Sequence, residues 1–332
     1  MTGLGGKAIL VTGGTGSFGK RLIQGILKQA REDAAAQPKR VIVFSRDELK
    51  QFEMQQDPVF QHACLRFFLG DVRDSARLTT AFKNVDYVVH AAALKQVSAA
   101  EYNPTEFIRT NIQGAENVIR AAIENNVEKV VALSTDKAVN PVNLYGATKL
   151  VSEKLFLAAN SLVGDGRTRF SVVRYGNVAG SRGSVLPFFK SQIQLGITEL
   201  PVTDPQMTRF WLSLGRAVEF TLEALACMVG AEIFIPELPS FKIMDLVEAL
   251  GATPRIVGIR QGEKIHETLI AKEEVPQAFR SSFGWVVTSN PHYPLYFKPI
   301  KNNREYDSLN NPDYLTVADL RSWIRAEEAA NF

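Results

Sequence analysis

Short apolar runs alternate with longer amphipathic stretches through the first half of the chain. Each run has the length of a strand buried on both faces, and the runs are residues 7–12, 40–44, 65–69, 85–90, 130–133 and 170–175. Residues 19–32 and 104–125, and the segment around residues 145–149, have the spacing of helices. Buried strands that alternate with helices indicate a parallel sheet. The pattern therefore predicts the α/β class, with a doubly wound parallel Rossmann sheet.

The pattern becomes irregular after residue 175. Residues 176–189 are crowded with Gly, Asn and Ser but keep apolar positions, which indicates a binding loop that packs against the protein rather than a linker. A helix at residues 214–229, a strand at 232–235 and a helix from residue 242 follow, and the remainder is expected to form a smaller α/β cap. Residues 290–312 have little periodicity, so we expect an irregular covering segment there.

Composition narrows the class of protein. The chain has 332 residues, and its net charge of +3 does not indicate a nucleic-acid partner. It has no apolar run of about 18 residues that could span a membrane, and its first apolar run leads into glycines rather than a signal-peptide cleavage site. We therefore expect a cytoplasmic protein. Cys64 and Cys227 lack metal-ligand spacing, so we expect two small buried residues in a reducing compartment and no metal site.

The first apolar run leads directly into a glycine-rich loop with the spacing G-x-x-G-x-x-G. Between a strand and a helix, such glycines let backbone N–H groups approach a pyrophosphate, and the helix N-terminus supplies partial positive charge. We therefore predict a dinucleotide site at the start of the chain. Its residues are Gly13, Thr15, Gly16, Ser17, Phe18 and Gly19.

The residues after the second apolar run bear on which dinucleotide binds. At this position an enzyme for NAD typically offers a carboxylate to the ribose 2′-OH, whereas a cation accommodates a 2′-phosphate. Ser45, Arg46 and Lys50 therefore favour NADP. The alternative is a solvated helix start in which Asp47 is the cap.

Acidic and small residues follow the next two runs. A carboxylate after the third run would meet the adenine, and small side chains after the fourth would let a flat ring and a ribose lie against the backbone. The cofactor-binding candidates here are Asp71, Val72, Ala91, Ala92 and Ala93. The alternatives are a helix cap for the aspartate and plain packing for the alanines. We predict that His90 is a core residue, and that Lys95 is either a cation for the substrate or a surface lysine.

The fifth run leads into residues 133–149, which read LSTDKAVNPVNLYGATK. Tyr145 and Lys149 lie four residues apart, so a helix places them on one face. An ammonium beside a phenol favours the phenolate and lowers the tyrosine pKa from about 10 toward neutrality, as a general base requires. Asp136 and Lys137, at the carboxyl end of the strand, would form a second acid–base pair. Alone, Y-x-x-x-K is a weak signal, and the glycine loop gives it weight.

Taken in order, the glycine loop, GDV, the three alanines, Y-x-x-x-K and RYGNV resemble the extended short-chain dehydrogenases/reductases that act on nucleotide sugars. The segments SRDELKQFEM, HAAALK, LSTDKAVNPVNLYGATK, RYGNVAGSRGSVLPFF, MTRFW and GEKIHE are similar to the inverting UDP-N-acetylglucosamine 4,6-dehydratases of pseudaminic acid synthesis. Lys137 stands where retaining dehydratases have glutamate, and Tyr145 stands where membrane-anchored relatives have methionine. Gln96 and Ser98 depart from the histidine and proline of close relatives, near Lys95.

The resemblance implies a hydro-lyase that uses NADP and acts on UDP-N-acetylglucosamine, in a homo-oligomer that is a hexamer or a dimer. Tyr145 with Lys149 would deprotonate the C4 hydroxyl, and Thr135 would hold the C4 oxygen. Asp136, protonated, would serve the departing C6 hydroxyl, and Lys137, as a neutral amine, would take the C5 proton. The implied substrate-binding residues are Lys95, Asn177, Val185, Arg209, Arg260 and Glu263.

We expect two domains. Residues 1–178 and 208–235 would form an NADP-binding Rossmann domain, and residues 179–207 and 236–332 a smaller α/β domain that binds the UDP-sugar. Two other functions stay open. A C4-epimerase would have no need of Asp136 and Lys137, and a non-catalytic NADP-binding sensor would have no need of the pair Tyr145 and Lys149.

Overall fold

The computed structural model describes residues 3–181, 183–290, 298–299 and 304–330. The strands are β1 (Ala8–Thr12), β2 (Arg40–Ser45), β3 (Leu65–Leu69), β4 (Tyr87–His90), β5 (Lys129–Thr135), β6 (Arg169–Tyr175), β7 (Glu199–Val202), β8 (Thr208–Phe210), β9 (Glu232–Ile235), β10 (Ser240–Lys242), β11 (Thr253–Ile256), β12 (Thr268–Ile270), β13 (Ala278–Arg280), β14 (Trp285–Thr288), β15 (Lys298–Pro299) and β16 (Tyr306–Asp307). The helices are α1 (Ser17–Glu32), α2 (Glu48–Gln56), α3 (Ser75–Ala81), α4 (Val97–Tyr102), α5 (Pro104–Phe107), α6 (Gly114–Glu124), α7 (Leu144–Ala159), α8 (Val185–Gln194), α9 (Leu214–Cys227), α10 (Ile243–Ala249) and α11 (Val317–Ala330). A π-helical turn (Ile108–Gln113) joins α5 to α6, and a 3₁₀ turn (Asp136–Ala138) follows β5.

Within the described residues, one large sheet has the strand order β15, β13, β14, β9, β6, β5, β4, β1, β2, β3. The strands from β9 to β3 are parallel, and β14, β13 and β15 run antiparallel at the other edge. The predicted doubly wound parallel sheet is confirmed. Its order reverses between β1 and β4, and in such sheets ligands bind outside the carboxyl ends of the strands at this point.

Burial explains why these sequences form a two-sided sheet. All five residues of β1 are buried, and four of them are apolar, as suits a strand between two layers of helices. Helix α1 buries Leu22, Ile23, Ile26 and Leu27, which lie on one stripe of the helix against the sheet. The core therefore holds the carboxyl ends of the strands in fixed positions.

A second, smaller core lies in the C-terminal part of the chain. Helices α8, α10 and α11 contribute buried side chains that include Phe189, Leu246 and Leu320. The short strand pairs β7 with β11 and β8 with β10 lie in the same part. Strands β13 and β14, although late in sequence, are hydrogen-bonded into the large sheet. The division into an NADP-binding and a UDP-sugar-binding domain stays a prediction.

Some local predictions were wrong. Helix α8 begins inside the predicted binding loop, because Leu186 and Phe189 form a buried face against the second core. Pro187 lies in the first turn of this helix, where its missing N–H has no intrahelical partner to lose. The predicted irregular segment at residues 290–312 lies partly outside the described residues. Its described part contains β16, which pairs with β12.

Cysteine, membrane and metal features can be stated for the described part of the chain. Cys64 is buried as predicted, but Cys227 is exposed because it is the last residue of α9. No helix within the described ranges has both the length and the apolar character needed to cross a membrane. The described residues also contain no group of three or more His, Cys, Asp or Glu side chains that could hold a metal ion.

Candidate active site

One cleft follows the carboxyl ends of β1, β4, β5 and β6, where the order of the large sheet reverses. Its volume is about 900 Å³, which is near the upper end of the range for small-molecule sites. The facing wall comes from the start of α8, from residues 201–209 and from residues 260–267. The cleft therefore lies between the Rossmann sheet and the C-terminal part of the chain.

The loop between β1 and α1 has the geometry of a phosphate-binding turn. Gly13 has a φ of 69°, and a Cβ at this position would lie 2.9 Å from the backbone nitrogen of Ala92. A Cβ on Gly19 would lie 2.6 Å from the carbonyl oxygen of Gly13, so only glycine lets the helix pack this closely on the loop. Helix α1 begins after Gly16 without a side-chain cap or an acidic residue in its first turn, which suits an anion. The loop residues that line the cleft are Gly13, Thr15, Gly16, Ser17, Phe18 and Gly19. They fit the diphosphate of a dinucleotide.

The polar residues at the end of β2 and the start of α2 form hydrogen bonds and ion pairs with neighbouring side chains. Ser45 is buried, and its Oγ accepts a hydrogen bond of 3.0 Å from Nε2 of Gln51. Asp47 caps α2 by accepting from the backbone N–H of Lys50 at 3.0 Å, and it also pairs with the ammonium of that lysine. The helix-cap interpretation of Asp47 is therefore correct. Arg46 is half-exposed at the end of the strand, with Nη1 3.7 Å from Oδ2 of Asp71.

Asp71 follows β3 and is bound by arginine. Its Oδ2 accepts from Nη2 of Arg73 at 2.7 Å. Burial raises the pKa of Asp71, but the hydrogen bonds from Arg73 outweigh it and hold the pKa below its ordinary value. The helix-cap alternative for Asp71 is wrong, because Asp74 caps α3 by accepting from the N–H of Arg77 at 2.9 Å.

Several predicted cofactor residues lie behind or beside the lining of the cleft. Ala91 and Ala93 line the cleft, whereas Ala92 packs against the main core. Among the described residues, the predicted cofactor residues that do not line the cleft are Ser45, Arg46, Asp71, Val72 and Ala92. His90 is a core residue as predicted: its Nδ1 lies 2.8 Å from Oγ1 of Thr12, and burial lowers its pKa to about 3.

Tyr145 and Lys149 both line the cleft from α7, but they do not form the predicted electrostatic pair. Asn143 caps this helix by accepting from the N–H of Gly146 at 2.8 Å, which fixes the turn that carries Tyr145. Lys149 donates from Nζ to the carbonyl oxygen of Leu133 at 2.7 Å. Burial raises the pKa of Tyr145 to about 12 and lowers the pKa of Lys149 to about 8. The predicted lowering of the tyrosine pKa toward neutrality is therefore wrong in this structure, because burial outweighs the nearby charges.

Asp136 occupies the 3₁₀ turn after β5 and is fully buried. Its Oδ1 accepts from Oγ1 of Thr135 at 2.9 Å and from Nζ of Lys137 at 3.0 Å. Its Oδ2 is buried without a hydrogen-bond partner in the described structure. Burial and the charge of Glu267 raise the pKa of Asp136, which agrees with the expectation of a protonated acid.

Lys137 lies at the centre of this polar cluster. Its Nζ donates to Oδ1 of Asp136 at 3.0 Å, to Oδ1 of Asn177 at 2.9 Å and to Oε1 of Glu267 at 3.2 Å. Burial lowers the pKa of Lys137, but the two carboxylates outweigh burial and hold it above its ordinary value. The prediction that Lys137 is a neutral amine is therefore wrong for this structure, because the carboxyl groups of Asp136 and Glu267 both lie beside its Nζ.

Glu267 was missed by the sequence analysis as a site residue. Its side chain is buried, with Oε1 3.7 Å from Nε of Arg209 and Oε2 without a described hydrogen-bond partner. Burial raises the pKa of Glu267, but Lys137 and Arg209 lower it more, so the net pKa lies below its ordinary value. The segment GEKIHE contains this residue, but its spacing gives no sign of contact with a lysine 130 positions earlier.

The predicted substrate-binding residues all line the cleft, and they are Lys95, Asn177, Val185, Arg209, Arg260 and Glu263. Arg209 is buried, and its guanidinium donates to the carbonyl oxygens of Ile265 at 2.9 Å and Lys264 at 3.0 Å. Arg260 is exposed at the rim, 4.0 Å from Glu263. Burial and the charge of Lys137 lower the pKa of Lys95. Arg209 thus holds the facing wall of the cleft, while Arg260 remains accessible to a ligand.

A Rossmann sheet with a phosphate-binding glycine loop, and Tyr145 and Lys149 in the same cleft, define an extended short-chain dehydrogenase/reductase. Residues 9–286 match the family model for a polysaccharide biosynthesis protein. The chain belongs to this family.

Two relatives indicate the chemistry found among similar chains. An inverting UDP-N-acetylglucosamine 4,6-dehydratase of Campylobacter jejuni subsp. jejuni serotype O:23/36 (strain 81-176) is 57% identical over 97% of this chain and 98% of its own length. A UDP-glucose 4-epimerase of Rickettsia akari (strain Hartford) is 44% identical over 82% of this chain and 80% of its own length. The dehydratase is the more similar of these two relatives.

Two solved structures have a similar fold. The X-ray structure of Pen from Bacillus thuringiensis has a TM-score of 0.90 and 37% identity, over 98% of this chain and 99% of that chain. DesIV, a dTDP-glucose 4,6-dehydratase from Streptomyces venezuelae with NAD and TYD bound, has a TM-score of 0.68 and 25% identity, over 78% of this chain and 86% of that chain. The second neighbour therefore carries a nicotinamide dinucleotide on a related fold.

Proposed function

We propose that this enzyme is an inverting UDP-N-acetylglucosamine 4,6-dehydratase that uses NADP. The observation that carries the proposal is that Lys137 and Tyr145 line one cleft, with the buried carboxyl of Asp136 3.0 Å from Nζ of Lys137. Oxidation at a sugar carbon needs one acid–base group, and elimination of water needs a further acid and a further base. The 57% identity to the Campylobacter jejuni dehydratase supports the same chemistry.

The choice of NADP rests on charge at the end of β2. The last residue of the strand is Ser45, so no carboxylate occupies the position that usually binds a ribose 2′-OH. Arg46 follows it with a half-exposed guanidinium, which can bind a 2′-phosphate through two parallel hydrogen bonds. When bound, the nicotinamide supplies a hydride acceptor for C4 and later the hydride for C6.

The first step requires the loss of a proton from the C4 hydroxyl. Tyr145 lines the cleft and is the candidate base for this proton, and Thr135 is the candidate hydrogen-bond partner of the C4 oxygen. Lys149, whose Nζ donates to the carbonyl oxygen of Leu133, lines the same cleft in a fixed position. These residues are proposed to prepare a ketone at C4.

The second step removes water across C5 and C6. The ketone makes the C5 proton acidic, and Lys137 takes it while Asp136 gives its own proton to the departing C6 oxygen. Lys137 must first become a neutral amine, and Glu267, whose Oε1 lies 3.2 Å from its Nζ, can accept that proton while Asp136 keeps its own. A lysine in this role, instead of a glutamate, supports return of the C5 proton on the opposite face and an L-configured 4-keto product.

Isotope incorporation tests this proposal. Incubation with UDP-N-acetylglucosamine in deuterated water should give a 4-keto-6-deoxy product with deuterium at C5, and NMR coupling constants should report the inverted configuration. Recovery of unlabelled substrate would refute the dehydratase assignment.

The resemblance to the inverting 4,6-dehydratases also supports two further proposals. The protein would be a cytoplasmic homo-oligomer, and it would catalyse the first step of pseudaminic acid synthesis.

The second candidate function is that of a UDP-sugar C4-epimerase. The 44% identity to a UDP-glucose 4-epimerase is the observation that favours it. Epimerisation would use Tyr145 and the cofactor but would leave Asp136 and Lys137 without a role. A product with the C6 hydroxyl retained and the C4 configuration reversed would favour this candidate.

A further inference from the structure

One asparagine side chain bonds to both walls of the cleft. Asn143 precedes α7, and its Oδ1 accepts a hydrogen bond of 2.8 Å from the backbone N–H of Gly146 in the first turn of that helix. Its Nδ2 donates a hydrogen bond of 2.7 Å to the carbonyl oxygen of Gly262, 119 residues later in the chain. Only one orientation of the amide satisfies both partners, because its oxygen can only accept and its nitrogen can only donate. Asn143 thus joins the Rossmann side of the cleft to the facing wall.

The carbonyl group that Asn143 binds belongs to a tight turn over residues 260–263. The N–H of Glu263 donates to the carbonyl oxygen of Arg260 at 3.2 Å, which closes the turn. Gly262 has a φ of 80°, the value that a type II turn requires at its third residue. Arg260 and Glu263 are the two ends of this turn, and both line the cleft. The position of the turn therefore decides where these two side chains meet a ligand.

The turn fits closely against the start of α7. A Cβ on Gly262 would lie 2.9 Å from Cβ of Asn143, so only glycine lets the turn approach this near. The first turn of α7 also packs closely on the 3₁₀ turn after β5, because a Cβ on Gly146 would lie 2.1 Å from the carbonyl oxygen of Lys137. Contacts therefore continue from the turn over residues 260–263, through Asn143, to the helix that carries Tyr145.

We propose that Asn143 is a positioning residue whose two amide atoms serve opposite ends of the substrate. Its oxygen fixes the start of α7 and hence Tyr145, and its nitrogen fixes the turn whose exposed Arg260 meets the diphosphate of the UDP-sugar. The proposal rests on the dehydratase function argued above. Loss of the nitrogen alone should weaken nucleotide binding and leave the chemical step intact, whereas loss of both atoms should affect both.

The experiment separates the two atoms in the full-length enzyme with NADP bound. Asn143→Ser keeps an oxygen that can cap α7 but has no atom at the position of Nδ2. We expect it to raise the Kd for UDP, measured by titration calorimetry, and the KM for UDP-N-acetylglucosamine by about threefold to tenfold, the equivalent of one lost hydrogen bond. Its kcat should stay within about twofold of wild type. Asn143→Ala also removes the cap, so it should in addition lower kcat by about tenfold, because Tyr145 is displaced.

Two further variants control for charge and for general damage to the fold. Asn143→Asp has the same shape and keeps the cap but cannot donate, so it should raise the Kd for UDP at least as much as Asn143→Ser. Asn160→Ser is the matched control at the other end of α7, where the amide of Asn160 bonds to the backbone of Phe170 at 2.9 and 3.1 Å. It should lower stability without changing KM or kcat.

Two outcomes would overturn the inference. An unchanged Kd for UDP in Asn143→Ser would show that the nitrogen does not position the turn. Equal losses of kcat in Asn143→Ser and Asn143→Ala would show that the two atoms have no separate roles. If Asn143→Ser does not fold, Asn143→Asp decides by the same measurements. Failure of the proposed function gives a different result: wild type would bind UDP but form no 4-keto-6-deoxy product, and the calorimetry would still test the contact between Asn143 and Gly262.

Discussion

Lys149 donates a hydrogen bond of 2.7 Å from Nζ to the carbonyl oxygen of Leu133. The lysine of the Y-x-x-x-K pair is thus fixed to the main chain of β5 rather than to the phenol of Tyr145. Both side chains are buried, so the dominant effect on each pKa is removal from water. In the structure as described, burial disfavours both the charged ammonium and the phenolate.

The buried Lys149 should make stability depend on pH in a defined direction. Its pKa falls from 10.5 to about 8 in the folded chain, so between these values the unfolded chain binds more protons at this position. The free energy of unfolding therefore rises as pH rises through this window and falls again as pH drops toward 8. We expect wild type to gain about 3 kcal/mol relative to Lys149→Met across this window.

Urea unfolding of both proteins at pH values across this window measures the effect. Lys154→Met is the matched control, because Lys154 is an exposed lysine on the same helix. A difference between wild type and Lys149→Met that does not change with pH would contradict the prediction.

The pKa of Tyr145 should stay above its ordinary value until a positive charge enters the cleft. Burial raises its pKa to about 12, and an oxidised nicotinamide ring nearby would favour the phenolate. We expect addition of NADP⁺ to lower this pKa. The tyrosinate difference absorbance of wild type minus Tyr145→Phe, followed against pH, isolates this residue among eight tyrosines. An identical titration with and without NADP⁺ would show that the nicotinamide does not act on the phenol.

The pattern of apolar and polar residues was sufficient to predict the sheet, but it did not predict the pKa shifts in the site. The bounds of β3 and β9 were predicted to the residue, because short, mainly apolar runs between turns leave few alternatives. The pKa shifts of Tyr145 and Lys137 were predicted with the wrong sign, since each depends on burial and on charges from distant segments. Glu267 approaches Lys137 across 130 residues, a contact that only the assembled fold creates.

Lys137 should separate the two candidate functions. If it takes the C5 proton, Lys137→Ala should lower the rate of formation of the 4-keto-6-deoxy product by about 10²-fold or more. If the enzyme is a C4-epimerase, the same variant should keep nearly the full rate of epimer formation. Following both products by NMR from one incubation makes the comparison internal. Near-normal dehydration by Lys137→Ala would remove the proposed base from the mechanism.

Arg46 should discriminate between the two nicotinamide dinucleotides. Its half-exposed guanidinium stands at the end of β2, where a 2′-phosphate would lie. We expect Arg46→Ala to weaken NADP binding by about tenfold or more, since it removes up to two charge-assisted hydrogen bonds, and to leave NAD binding unchanged. Titration calorimetry with both dinucleotides measures this. Equal weakening for both would indicate that Arg46 contacts a group they share.

The fold below the cleft depends on a buried arginine. Arg174 on β6 is 1% exposed and donates to Glu153 of α7 at 2.9 and 2.6 Å and to Glu274 at 2.8 and 2.9 Å. Arg174→Met should lower the free energy of unfolding by about 3–5 kcal/mol, because it leaves Glu153 charged and buried without a partner. Arg169→Met, at an exposed position on the same strand, is the control and should cost little.

The double variant distinguishes a paired charge from simple packing. Glu153→Met alone leaves Arg174 with Glu274, and removal of both Arg174 and Glu153 leaves no unpaired ion in the fully buried part of the network. The loss in the double variant should therefore be clearly smaller than the sum of the two single losses, by about 1 kcal/mol or more. Urea unfolding of the four proteins completes the cycle. Strictly additive losses would mean that Arg174 acts through its volume, and that the helix carrying Tyr145 and Lys149 does not depend on this ion pair for its position.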